Sequence, residues 1–334
     1  MTYRVAVVGA GNLGQIHVRN WMKLQDVVVV GVAANSTPEA EGLTRTAGCP
    51  AFGAAEFDEM LATTKPDIVD ICVPTLLHRS YVERAAAQKM AIFLETPLAR
   101  TAADCQAIVD AVDKSGVKCM AGGAGRFSPE FRNAADEVFV GGVGNPGVVR
   151  VSRMTGPRTN SPGNWLMDQA QSGGVVLDFM VRDFEWLLHT FGPATRIYAK
   201  GTRGPASGLV DYALATIRFA TGAIAHITGS WAHTAETVQT TLEIAGDRGL
   251  IEYDSARYKP FTISTGVDAG SVSGLQESPL NDQDDPCFLQ LQAFVRCLSE
   301  NSPIPVTLAE AQEATLMALA ALESIETGRV VTLQ

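Results

Sequence analysis

The sequence predicts an α/β fold in two parts: a doubly wound parallel sheet over residues 1–122, then an α+β domain over 123–334 built on a large open, mainly antiparallel sheet. Three observations carry this. A glycine-rich turn follows the first apolar run, strand-like and helix-like segments alternate as far as Gly122, and beyond Gly144 the texture changes to closely spaced β-type runs. In the first part the β-branched runs 5–8, 27–34, 68–73, 91–94 and 118–122 read as strands. Helices fall between them: Thr37 caps one, with Pro38 at its first position and Gly48 past its end, and another occupies 101–115 before Gly116. In the second part the expected strands are 148–154, 196–200, 212–219, 223–231, 240–245 and 250–253, with one long helix at 172–191. Helices at 285–299 and 308–327 close the chain, and the C-terminal one is expected to pack back on the first domain. Segments 155–163 and 265–283 are rich in Gly, Ser and Pro and read as loops.

Gly9, Gly11 and Gly14 form G-x-G-x-x-G between the first strand and a helix. In that setting the first glycine makes a tight turn, the second lets the backbone approach a pyrophosphate, and the third lets the helix pack on the strand. The helix N-terminus adds N–H donors and a positive dipole end, so Gly9, Gly11, Asn12, Leu13 and Gly14 are the expected phosphate contacts. Strand before and helix after mark a dinucleotide-binding Rossmann domain. The acid that would bind the adenosine ribose at the end of the second strand is missing, because that strand runs into Asn35-Ser36-Thr37. Asn35 and Ser36 can hydrogen-bond a ribose hydroxyl or a 2′-phosphate, and no carboxylate is there to repel the phosphate. They can equally serve only as the turn into the next helix. The expected cofactor is therefore NAD or NADP.

The chain has 334 residues, 46% of them hydrophobic and 19% charged, enough to bury two cores. A formal net charge of −10 argues against nucleic acid or an anionic membrane as partner, since both need clustered basic residues. A small molecule is expected instead. The six cysteines (Cys49, Cys72, Cys105, Cys119, Cys287, Cys297) stand at no metal-ligand or redox-motif spacing, so reduced thiols and no metal site are expected. The N-terminus enters a strand directly, and the longest apolar run, 27–34, is too short to cross a bilayer; a cytoplasmic protein is expected.

The glycine loop continues as Gly-Ala-Gly-Asn-Leu-Gly-Gln-Ile-His17, and strand 68–73 runs on as Ile71-Cys-Val-Pro-Thr-Leu-Leu-His78. Further along come Glu95-Thr96-Pro97-Leu98-Ala99, Gly125-Arg126-Phe127-Ser128-Pro129, Ser172-Gly173-Gly174-Val-Val-Leu-Asp178 and Gly246-Asp-Arg-Gly249. In this order, and over nearly the whole chain, these segments resemble signatures of the Gfo/Idh/MocA oxidoreductase family. The resemblance implies a Rossmann domain followed by an open-sheet domain whose face often mediates dimers or tetramers, so a homodimer or homotetramer is expected. It also implies a carbohydrate-like substrate. Pro74, Thr75 and His78 would contact the nicotinamide-ribose end, Glu95 and Pro97 would shape the cofactor pocket, and Trp165 and Asp168 would line the sugar pocket. Plainer alternatives stand beside these: Pro74 ends a strand, His78 sits in a solvated first helical turn, and Trp165 belongs to the core. His17 reads as structural.

The chain departs from the family where proton transfer is expected. The family's dehydrogenases pass a proton to the lysine of Glu-Lys-Pro, helped by an aspartate and a histidine four residues later. Here Thr96 replaces the lysine, and a hydroxyl is not a tunable base near neutral pH. In Asp178-Phe-Met-Val-Arg182-Asp183-Phe-Glu185 the aspartate is kept, but Arg182 replaces the histidine. On one helix Asp178 and Arg182 would be a turn apart and able to pair. Asp183 and Glu185 read as capping or solvated residues, and His189 stands too far along the helix to replace the lost histidine. Arg126, Arg153, Arg158 and Arg182 would converge on the substrate side, where guanidinium groups suit an anionic ligand such as a sugar acid. Thr96, Asp178 and Arg182 are thus the candidate catalytic residues, and Arg126, Arg153, Trp165 and Asp168 the candidate substrate residues. The leading expectation is an NAD(P)-dependent oxidoreductase acting on a sugar, polyol or sugar acid. The alternatives are cofactor-assisted non-redox sugar chemistry and a non-catalytic cofactor- or sugar-sensing protein.

Overall fold

The computed structural model describes residues 2–35, 37–156, 164–204, 208–233, 238–257, 261–265 and 285–333. It divides into two compact units, one of residues 1–127 with 281–312 and one of 128–280 with 313–334. The division falls five residues beyond the expected boundary at 122, and the first unit reclaims a C-terminal segment.

In the first unit, strands β1 (Tyr3–Val8), β2 (Val27–Ala34), β3 (Ala51–Gly53), β4 (Ile68–Ile71), β5 (Ala91–Leu94) and β6 (Cys119–Ala121) form one sheet in the order β3-β2-β1-β4-β5-β6. All five pairings are parallel. Helices α1 (Asn12–Trp21), α2 (Thr37–Ala47), α3 (Phe57–Thr64), α4 (His78–Ala87), α5 (Ala102–Ser115) and the short α6 (Ala124–Phe127) link or follow the strands. Val5, Val7, Ile68, Val69, Ile92 and Phe93 have no exposed surface, the continuous apolar burial that a parallel sheet covered on both faces demands. Thr101 caps α5 by accepting from Asp104 N at 3.1 Å. Helix α10 (Pro286–Glu300), capped by Asp285 with proline at its first position, places Leu291 and Phe294 in the same core. The strand order reverses between β1 and β4, and a doubly wound sheet binds its ligand in the crevice beyond that point, at the carboxyl ends of the strands.

The second unit holds an eight-stranded sheet in the order β13-β12-β11-β7-β10-β9-β8-β14. Its strands are β7 (Pro146–Met154), β8 (Ala194–Arg203), β9 (Val210–Phe219), β10 (Ile224–Ser230), β11 (Gln239–Gly246), β12 (Gly249–Asp254), β13 (Phe261–Thr265) and β14 (Val331–Thr332). Only β7 and β10 run parallel. Burial alternates along β9, with Ala213, Ala215 and Ile217 inside and Leu214 exposed, as a sheet covered on one face requires. Helix α7 (Pro129–Phe139) contributes Phe131 to the core, where Trp186 Nε1 donates to its carbonyl at 3.0 Å. Helix α11 (Leu308–Thr327) begins in the first unit and ends in the second. Among the described residues no helix is long and apolar enough to cross a membrane.

The expected single helix at 172–191 is in fact broken. A short α8 (Gln169–Ser172) stops at Gly173 and Gly174, both with positive φ, and a π-helical turn (Val175–Phe179) precedes α9 (Val181–Phe191). Two successive left-handed residues cannot continue a right-handed helix, and Gly174 is also pressed on the Val210 carbonyl, 2.6 Å from where a Cβ would stand.

Candidate functional site

The glycine loop is built as its spacing requires. Gly9 has φ +106°, and a Cβ there would lie 2.4 Å from the Cys72 carbonyl oxygen; a Cβ on Gly14 would lie 1.8 Å from the Gly9 oxygen. Gly11 differs, because a Cβ on it would meet nothing within 4 Å. Gly9 and Gly14 are thus closed against the protein while Gly11 faces open space. Helix α1 starts at Asn12 with no side-chain cap, and Asn12 and Leu13 in its first turn are exposed, so no cap side chain competes for their N–H groups. This cradle fits a dinucleotide pyrophosphate. Asn35 is exposed at the end of β2, and Ser36 lies outside the described residues.

At the end of β4, Pro74 opens a 3-10 turn (Thr75–Leu77) and Thr75 is 4% exposed. His78 is not in a solvated turn: it is 2% exposed, with Nδ1 3.1 Å from the Leu98 carbonyl and Nε2 3.0 Å from that of Val73. Burial lowers its pKa, against the pull of those carbonyls. Beyond β5, Glu95 is half-buried, Thr96 is partly exposed, and Pro97 is buried after a cis bond. Glu95 and Thr96 thus follow β5 directly, at the carboxyl end of the first sheet.

A network that the sequence does not reveal lies behind Glu95. Asp70, in β4, has no exposed surface; its Oδ2 accepts from Trp21 Nε1 at 2.7 Å and lies 2.9 Å from His17 Nδ1. On the other side of the same ring, His17 Nε2 stands 3.1 Å from Glu95 Oε1, a charge contact without the alignment of a hydrogen bond. Gln290 donates to Glu95 Oε1 at 3.3 Å and accepts from Gly123 N at 3.0 Å. Burial opposes a charge on His17, yet its neighbours raise its pKa well above the usual value. Cys72 lies 3.4 Å from His17 Nδ1, but burial pushes that thiol far up as well, so at neutral pH the attraction is carried by Asp70. The signal in the sequence was Asp70 itself, a lone acid inside Ile68-Val-Asp-Ile71.

In the second unit, Arg153 is already engaged. Its Nη2 donates to Asp183 Oδ1 at 2.7 Å, its Nε reaches both carboxylate oxygens at 3.2 Å, and Thr240 takes a further bond at 3.3 Å. Asp183 and Glu185, expected to be capping or solvated, are 1% and 3% exposed. Asp183 is the buried counter-ion of Arg153, whose guanidinium is thus already paired within the second unit. In the first unit Arg126 is similarly taken, by the Pro305 carbonyl at 3.0 Å and Glu310 at 2.9 Å. Arg158 lies outside the described residues. Arg182 differs: it stacks 5.4 Å over the Phe179 ring, and its buried Nε has no hydrogen-bond partner among the described residues. Asp178 sits in the π-helical turn and Arg182 in α9, so the two are not successive turns of one helix. Trp165 is partly buried in a 3-10 turn capped by Asn164, and Asp168 caps α8 by accepting from Ala170 N at 2.8 Å.

Comparison with known proteins gives this arrangement a setting. Residues 3–123 match the family model described as "Oxidoreductase family, NAD-binding Rossmann fold", and residues 131–252 match the "GFO/IDH/MocA C-terminal domain". Similar proteins include the myo-inositol 2-dehydrogenase of Thermotoga maritima, 24% identical over 99% of this chain and 98% of that one. The inositol 2-dehydrogenase of Rhizobium meliloti is 25% identical with both chains fully covered. Among solved structures, levoglucosan dehydrogenase in complex with NADH superposes with a TM-score of 0.89 at 19% identity, covering both chains fully. The chain therefore belongs to the Gfo/Idh/MocA family of oxidoreductases and carries its NAD-binding Rossmann domain.

Proposed function

We propose that this protein transfers hydride between NAD or NADP and a sugar, polyol or sugar-acid-like substrate, using proton-handling residues unlike those of its dehydrogenase relatives. The observation that carries this reading is the phosphate cradle: Gly9 and Gly14 are closed against backbone while Gly11 and the uncapped start of α1 are open. When bound, the nicotinamide supplies the hydride chemistry. The chain's own residues bind and orient. Thr96 offers a hydroxyl that can donate or accept a hydrogen bond to a substrate oxygen, and Asp178 is the acid kept from the family pattern. Arg182 brings a permanent charge, and a guanidinium suits a carboxylate on the substrate. Reduction of a carbonyl fits this set better than oxidation of an alcohol, because its proton can come from water, relayed through the Thr96 hydroxyl. The inositol and levoglucosan dehydrogenases among the similar proteins support a carbohydrate-like class. Asn35 can bond either a ribose hydroxyl or a 2′-phosphate, which leaves both nucleotides as candidates.

The test is fluorescence titration with NADH and NADPH, followed by a scan of sugars, polyols and sugar acids, with their carbonyl forms, at the nicotinamide absorbance band. Binding with turnover is expected, and Arg182→Met should cost more kcat/KM on sugar acids than on neutral sugars, by about tenfold. Binding without turnover on any of them would favour a sensing protein. Failure to bind either nucleotide would overturn the proposal.

A further inference from the structure

The residues behind the crevice form a chain that runs from the core to its edge: Trp21 to Asp70, Asp70 to His17, His17 to Glu95. Each link is short, at 2.7, 2.9 and 3.1 Å, and the first three members are fully buried while the last is 14% exposed. The His17 ring is held in plane as well, edge-on to Phe93 with centroids 5.7 Å apart. Gln290 approaches the same Glu95 oxygen from α10, so Oε1 is fixed from two sides. Oε2 accepts from Thr96 N at 3.4 Å, and both carboxylate oxygens lie within 3.0 Å of where a Cβ on Gly122 would stand, so the glycine lets the carboxylate pack against the backbone there. Such a chain costs several buried polar groups, and a purely structural core would be built more cheaply from apolar residues.

The sheet order says which part of the ligand this carboxylate meets. A dinucleotide straddles the reversal between β1 and β4; its adenosine half lies over the β1–β3 side, where the end of β2 receives the ribose, and its other half lies over β4–β6. Glu95 follows β5 directly, on the nicotinamide side.

We propose that His17 is a positioning residue of the cofactor site: anchored by Asp70, it holds the Glu95 carboxylate in one orientation beside the nicotinamide, where that fixed negative charge favours the oxidised, positively charged ring over the reduced one. This rests on the reading of the crevice as a nicotinamide-cofactor site. The groups that face His17 are Asp70 and Cys72 at the end of β4, Glu95 after β5, and Cys287 from α10. Burial keeps the Cys72 thiol protonated, and the carboxylates carry the charge that holds the ring.

The experiment is a double-mutant cycle on the full chain, with the dissociation constants of NAD⁺ and NADH measured separately by calorimetry. For two charges several ångströms apart in a partly solvated site, Glu95→Gln is expected to weaken NAD⁺ relative to NADH by about tenfold. His17→Gln should shift the same ratio in the same direction, the lost orientation of Glu95 outweighing the lost charge of the imidazolium, and adding it to Glu95→Gln should shift the ratio no further towards NADH. Asp70→Asn, which keeps the shape of the anchor, should reproduce part of the effect and serves in place of His17→Gln if that variant does not fold. If His17→Gln or Asp70→Asn weakens both nucleotides equally, or adds to Glu95→Gln in full, the residues are structural and the inference fails. If the wild-type protein binds neither nucleotide, the cofactor reading itself fails, and the inference with it.

Discussion

The two units each bury a cluster of charge, and the clusters end differently. In the first unit the chain Asp70–His17–Glu95 begins in the core and finishes on a carboxylate that is 14% exposed at the crevice. In the second unit Arg153 and Asp183 close on each other at 2.7 Å, with side chains 13% and 1% exposed, and Glu130 and Tyr253 stand close by. Burial opposes the charge on Arg153, and Asp183 outweighs it. Buried charge alone therefore does not mark a functional site. A cluster whose partners satisfy one another is scaffold, whereas one that delivers an oriented group to an opening is equipment for a ligand.

The largest effect is expected from Asp183→Asn. It removes the counter-charge but keeps the shape, leaving a guanidinium largely buried and unmatched, so the second unit should lose about 3–5 kcal/mol. Urea unfolding followed by tryptophan fluorescence would measure it, and NADH affinity should stay within about twofold, since the cradle lies in the other unit. A loss under about 1 kcal/mol together with weaker substrate binding would return Arg153 to the substrate site.

Inside the first unit, the pKa values of two buried histidines move in opposite directions. His17 has a raised pKa, so its contribution is fully present below the unfolded value near 6.5 and is lost as pH rises towards the folded one. His78 has a lowered pKa, so its contribution is present above that value and is lost as pH falls. One proton is at stake on each side, or about 1.4 kcal/mol per pH unit at most. Stability measured against pH should therefore fall on both flanks, with His17→Gln flattening the alkaline flank and His78→Gln the acid flank. An alkaline flank unchanged in His17→Gln would mean that the imidazole is neutral in the folded protein.

Much of this was legible in the sequence, and what was not has a physical reason. The glycine loop could be read because it needs one positive φ and two close backbone approaches, which only glycine supplies. The parallel strands could be read because burial on both faces leaves unbroken apolar runs. The break at Gly173 and Gly174 was visible as two adjacent glycines, but the apolar period on either side masked it. The ion pairs could not be read, because His17 meets Asp70 across 53 positions and Arg153 meets Asp183 across 30, and side-chain pairing at that range leaves no local pattern. The burial of His78, for which a solvated turn was the plainer alternative, left no sign in the sequence for the same reason, since one of the carbonyls that hold its ring belongs to Leu98, 20 positions away.

The smallest effect tests whether the second cluster is as closed as its geometry implies. Tyr253 donates to Glu130 Oε1 at 2.9 Å, Glu130 also accepts from Ser128 at 2.6 Å, and burial together with Glu130 raises the pKa of the phenol. In Tyr253→Phe the carboxylate keeps its serine and the ring keeps its packing, so the loss should be only about 1 kcal/mol. Its coupling to Asp183→Asn is the informative quantity. If Arg153 is shared between Asp183 and Glu130, removing Asp183 turns the guanidinium towards Glu130, and the Tyr253→Phe penalty should change by at least about 0.5 kcal/mol in that background. Strict additivity would mean that Arg153 belongs to Asp183 alone and that the Glu130–Tyr253 bond is a separate rivet between α7 and β12.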